Sequence, residues 1–248
     1  MLDQMRKLAQ TTSALDAIRQ DLIRCGFELE FHAVDGMQGE DEDGNAQEYD
    51  ISAPHIEVGS DSSVRGGEIR TLGALKPQEF MAAAIALFKG HDFEIDTGCS
   101  FHIHLSVPGI KHSYGKHLQA EMMAYLLENQ DRLPESVRER LKSDAIRFCQ
   151  FKLDSDKMRA VHGHPQRTWE FRLFGNVTTQ HEAWRCLLLA IDAMRHAYRV
   201  RCELANPLVS VDEILDFDAL AAAAIRDSRS LAKQARYNKL FKRQAQPA

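Results

Sequence analysis

The 248-residue chain is 44% hydrophobic and 27% charged, with a formal net charge of −5. That is the composition of an ordinary globular protein, long enough for one large domain, and its negative balance argues against nucleic acid as a partner. The five scattered cysteines contain no CxxC pair, which argues against a disulfide framework and against a structural zinc site.

The first twenty-odd residues read as an amphipathic helix, with Met5, Leu8, Leu15, Ile18 and Leu22 on one side. "MLDQMRKLAQ" lacks the apolar segment of a secretory leader, and no apolar run approaches membrane-spanning length. The expectation is a soluble, cytoplasmic protein. "CGFELEFH" follows as a strand. "DGMQGEDEDGN" is acidic and glycine-rich, so residues 35–45 read as a mobile loop. "HIEVGSD" and "GGEIRTL" are short strands, and "KPQEFMAAAIALFKG" is a helix with Pro77 in its first turn. "DFEI" and "SFHIHLSV" are strands. "GKHLQAEMMAYLLENQ" and "PESVRERLKSDAI" are helices. "RTWEFRLFG" is a further strand, and a long helix begins at "TQHEAWRC". Strands cluster early and helices late. This predicts an α+β fold with one antiparallel or mixed sheet and helices packed on one face. A single catalytic domain is expected over residues 1–248, with an N-terminal helix (1–24), a core (25–205) and a helical appendage (206–248).

Successive strand residues point to opposite faces. Phe27, Leu29 and Phe31 therefore share one face, and Glu28 and Glu30 the other. His102 and His104 oppose Phe101, Ile103 and Leu105. Glu170 and Arg172 oppose Trp169, Phe171 and Leu173, and Glu68 and Arg70 oppose Ile69. If these strands share a sheet, their polar faces join into one floor of Glu, His and Arg. Four carboxylates at close range repel one another unless a cation lies among them. Oxygen-rich ligation with an imidazole suits Mg²⁺ or Mn²⁺ better than zinc.

"ELE" on the first strand, "DSSVRGGEIR", "CSFHIHLS" and "RTWEFRLFG" occur in an order that resembles the amidoligase family. That family is a branch of the carboxylate–amine ligases with a glutamine-synthetase-like catalytic fold. The resemblance covers roughly Gly26 to Gly175. It implies a curved antiparallel sheet as active-site floor and ATP with Mg²⁺ (or Mn²⁺) as cofactors. It also implies metal ligation by Glu28, Glu30, Glu68, His102 and Glu170, and nucleotide contact through His104, with Arg70 beside them. Arg172, with Arg159 or Arg167, would hold the transferred phosphate or the substrate carboxylate. The implied partners are a small-molecule or peptide carboxylate and an amine, with no nucleic acid and no membrane. The chain departs from the family pattern at Ser100 and at "FGNVTT".

Two other readings use the same residues: a hydrolase with zinc on His102 and His104, and a non-catalytic protein whose polar sheet face is simply wet. Among the remaining polar groups, His162 and His164 read as loop histidines that could touch substrate, although loop histidines usually have no role. Asp61 and Ser62 read as turn formers, and Cys99 and Trp184 as packed residues.

Overall fold

A computed structural model describes residues 2–38, 49–59, 66–110, 116–142, 149–150, 159–163 and 168–204. The expected appendage 206–248, most of the acidic loop, and Asp61, Ser62, His164 and Arg167 lie outside the described residues.

The chain opens with two helices rather than one, α1 (Leu2–Gln10) and α2 (Ala14–Arg19). The Thr-Thr-Ser run between them is the cause, because its hydroxyls compete for helical backbone groups. Thr11 Oγ1 donates to Leu8 O at 2.7 Å, and Ser13 Oγ caps α2 by accepting from Asp16 N–H at 3.1 Å.

Strands β1 (Arg24–Phe31), β2 (Ala33–Val34), β3 (Met37–Gln38), β4 (Ile56–Gly59) and β5 (Gly67–Thr71) come next. They are followed by α3 (Pro77–Gly90), β6 (Phe93–Glu94), β7 (Phe101–Ser106), α4 (Lys116–Glu128) and α5 (Glu135–Lys142). β8 (Val161–Gly163), β9 (Trp169–Phe171) and α6 (Gln180–Leu204) close the described chain. The main sheet has six strands in the order β4-β5-β1-β7-β9-β8, with every neighbouring pair antiparallel. A smaller sheet, β3-β2-β6, continues from the end of β1. The protein is thus α+β, and no described helix is long and apolar enough to cross a membrane.

The alternation expected from the sequence sets the core. Phe27, Leu29, Phe31, Ile69, Phe101, Ile103, Leu105, Trp169 and Phe171 are at most 1% exposed. They form one apolar cluster with Phe80 and Leu87 of α3, Met122 and Leu126 of α4, and Leu187, Ile191 and Met194 of α6. Phe27 meets Phe80 edge-on at 5.1 Å and stacks on Phe101 at 5.5 Å. Burying each such side chain stabilises the fold by about 1.5–3 kcal/mol. Trp184 of α6 is partly buried against this cluster, in keeping with its expected packing role. With one face committed to the core, the other is left to the charged residues.

Candidate metal centre on the polar face of the sheet

Strand register decides which polar side chains meet. Glu28 pairs across to Arg70 on one side and His102 on the other. Glu30 lies opposite Glu68. His104 lies between Gly26 and Glu170, and Glu170 lies opposite His162 on β8. The floor therefore runs in rows across the strands.

Glu28 is held by two imidazoles. Its Oε2 is 3.0 Å from His102 Nδ1, and its Oε1 is 3.2 Å from His104 Nε2. Burial opposes ionisation of Glu28, but the hydrogen bonds and charge of the two histidines prevail and hold its carboxyl far below the usual range. Glu170 is just as constrained. Arg172 Nη1 donates to its Oε1 at 2.6 Å, His162 Nε2 lies 2.6 Å from its Oε2, and His102 Nδ1 lies 3.5 Å from Oε1. Burial again opposes ionisation. The His162 hydrogen bond and the neighbouring positive charges overcome it and lower Glu170 to about 2. Burial pulls His104 down, but Glu28 and Glu170 outweigh it, so its value is raised. Both carboxylates stay ionised, Glu170 almost fully buried and Glu28 partly exposed.

The donor atoms of Glu28, His104 and Glu170 all lie within 4.8 Å of one another. Two carboxylates and one imidazole make an oxygen-rich set that fits a hard divalent cation such as Mg²⁺ or Mn²⁺. The His104 ring is fixed from behind, with Nδ1 3.2 Å from Thr168 Oγ1. His102 Nε2 is buried and has no hydrogen-bond partner among the described residues. His102 itself touches both carboxylates of this trio through Nδ1, so it sits beside the converging donors.

Glu30 and Glu68 form a neighbouring cross-strand pair, both mostly buried. Ser100 N–H donates to Glu30 Oε2 at 2.7 Å, and Arg70 Nε lies 3.0 Å from Glu68 Oε1. Arg70 also reaches Glu57 at 3.6 Å, so it balances two carboxylates at the sheet edge. Arg159 precedes β8 and donates to Gln150 Oε1 at 3.1 Å.

A cleft of about 400 Å³ opens over this face, lined among others by Arg24, Gly26, Glu28, Arg70, His104 and Thr168. Gly26 is a spacing requirement there. A Cβ at that position would lie 2.6 Å from Thr71 Oγ1, which accepts the Phe27 N–H at 3.1 Å.

The residue that sequence reasoning missed is His162. The sequence reads it as a loop histidine with at most a substrate contact, yet it lies on β8 and abuts Glu170. A three-residue strand is too short to show an alternating pattern, so only its pairing with β9 reveals it.

No protein-family model matches the chain, and neither does any curated protein.

Proposed function

We propose that the protein is an ATP-dependent carboxylate–amine ligase of the amidoligase type, with a glutamine-synthetase-like catalytic fold. The convergence of the Glu28, His104 and Glu170 donor atoms beside a cleft carrying Arg24 and Arg70 carries this reading. Joining a carboxylate to an amine in water is uphill, so the carboxylate is first phosphorylated. Its oxygen attacks the γ-phosphorus of ATP, ADP leaves, and the amine then displaces phosphate from the acyl phosphate with loss of a proton.

Glu28, His104 and Glu170 would hold one divalent ion, with Glu30 and Glu68 supplying carboxylates in the next row. Such an ion, when bound, offsets the charge of the nucleotide phosphates. The chain's own groups do the positioning. His102 and His162 keep Glu28 and Glu170 ionised and oriented. Arg172 spends one nitrogen on Glu170, while its buried Nε has no partner among the described residues. That N–H is suited to a phosphoryl or carboxylate oxygen of the substrate.

Calorimetric titration with ATP, with Mg²⁺ and then with EDTA, tests the reading. Binding is expected only with the metal, because the carboxylate floor repels bare phosphates. Equal affinity in EDTA overturns it. Incubation with ATP and pools of amino acids or peptides, scored by ADP and a new amide product, tests the reaction itself.

A further inference from the structure

A second group of ligating side chains lies at the corner between the two sheets. It is built from residues the ligase reading does not use. His32 follows β1, Asp96 follows β6, and Cys99 precedes β7. Their donor atoms all lie within 4.8 Å of one another, and His32 Nε2 is 3.1 Å from Asp96 Oδ1. The Cys99 side chain is fully buried, whereas the Asp96 carboxylate is more than half exposed. The group thus has a closed sulfur side and an open carboxylate side.

The backbone holds the three in place. Gly98 N–H donates to Asp96 Oδ1 at 2.7 Å, and Cys99 N–H donates to Asp96 O at 3.1 Å, so residues 96–99 form a tight turn. His32 N–H donates to Glu94 O at 2.9 Å, which ties the end of β1 to β6. Cys99 O accepts from Asn176 N–H at 3.2 Å, anchoring the cysteine from the far side.

We infer that His32, Asp96 and Cys99 form a binding site for a thiophilic divalent cation of the zinc class. One sulfur, one imidazole and one carboxylate are ligands that zinc and cobalt(II) favour and that Mg²⁺ does not. Zn–S of about 2.3 Å and Zn–N or Zn–O of about 2.0–2.1 Å set tetrahedral donor spacings of roughly 3–4 Å. The His32–Asp96 pair, at 3.1 Å, already falls in that range, and all three donors lie within 4.8 Å of one another. Binding replaces the thiol proton by the metal, and the proton leaves to solvent. A fourth position stays open on the Asp96 side for water. The three ligands come from separate strand ends, so no paired-cysteine spacing announces them. The site adjoins the floor: Ser100, the next residue, donates its N–H to Glu30.

The test is a Co²⁺ titration of the purified protein in excess Mg²⁺, which occupies oxygen-rich ligands with a hard ion. One Co²⁺ per chain should bind with tetrahedral visible bands and a thiolate-to-cobalt charge-transfer band. Cys99→Ser should abolish the charge-transfer band. Because Cys99 is buried, Asp96→Asn serves as the second variant. Its amide can still accept the Gly98 N–H, and Co²⁺ affinity should fall at least about tenfold in a protein with unchanged melting temperature. Absence of a thiolate band, a band that survives Cys99→Ser, or unchanged Co²⁺ affinity in folded Asp96→Asn overturns the site.

Discussion

His162 Nε2 lies 2.6 Å from Glu170 Oε2, and both side chains are more than nine-tenths buried. Arg172 Nη1 donates to the other oxygen, Oε1. Removing His162 takes this close contact from a buried carboxylate. His162→Ala should cost about 1–3 kcal/mol of stability and weaken Mn²⁺ binding by about 10–100-fold. Thermal melting and Mn²⁺ titration measure the two effects. A less than twofold change in Mn²⁺ affinity would show that the brace has no bearing on the metal centre.

In the metal-free protein, stability should depend on pH on both sides of a plateau. Glu170 is lowered from 4.5 to about 2, so its contribution is present above 4.5 and is lost as pH falls through about 2. By linkage that contribution is on the order of 3 kcal/mol. Glu28 acts with the same sign. His104 is raised above 6.5, so its contribution is full below 6.5 and is lost as pH rises through its folded value. Melting curves in EDTA from pH 3 to pH 9 should fall at both ends, and His104→Gln should remove the alkaline limb. An alkaline limb unchanged in that variant refutes the assignment to His104.

Two glutamates of the floor, Glu30 and Glu170, should respond differently to neutralisation. Glu30 faces Glu68 across the strands and accepts one backbone N–H from Ser100. Glu30→Gln keeps an acceptor for that bond and relieves repulsion, so metal-free stability should be unchanged or higher. Glu170→Gln instead strips charge from the partner of Arg172 and His162 and should cost about 3 kcal/mol. Both should abolish ATP-dependent turnover. Equal melting shifts for the pair would show that register does not set the local charge balance.

Gly26→Ala should destabilise the protein by about 1–3 kcal/mol, because its Cβ would press on Thr71 Oγ1 at 2.6 Å. It should also weaken ATP binding, since both residues line the cleft. Gly90→Ala, where a Cβ meets nothing within 4 Å, is the matched control and should be neutral or mildly stabilising. Calorimetric melting of the two variants checks this, and equal shifts would refute the steric account.

The alternation along β1, β5, β7 and β9 was legible residue by residue, because the strand period of two is a local property. It fixed the apolar face as core, and it collected Glu28, Glu30, Glu68, His102, His104 and Glu170 on the other face. The N-terminal break at Thr-Thr-Ser is equally local, but the apolar stripe that continues across it reads as a single helix. Register is not local: it follows from turn geometry and from how the helices seat the core, so only the tertiary structure decides it. That is why Glu28 meets His102 and His104 while Glu30 meets Glu68, and why His104 joins the converging donors. For the same reason two contacts stayed invisible in the sequence: β8, which places His162 on Glu170, and the corner that gathers His32, Asp96 and Cys99. Each joins residues with no shared periodicity, and pairing and chain reversal alone bring them together.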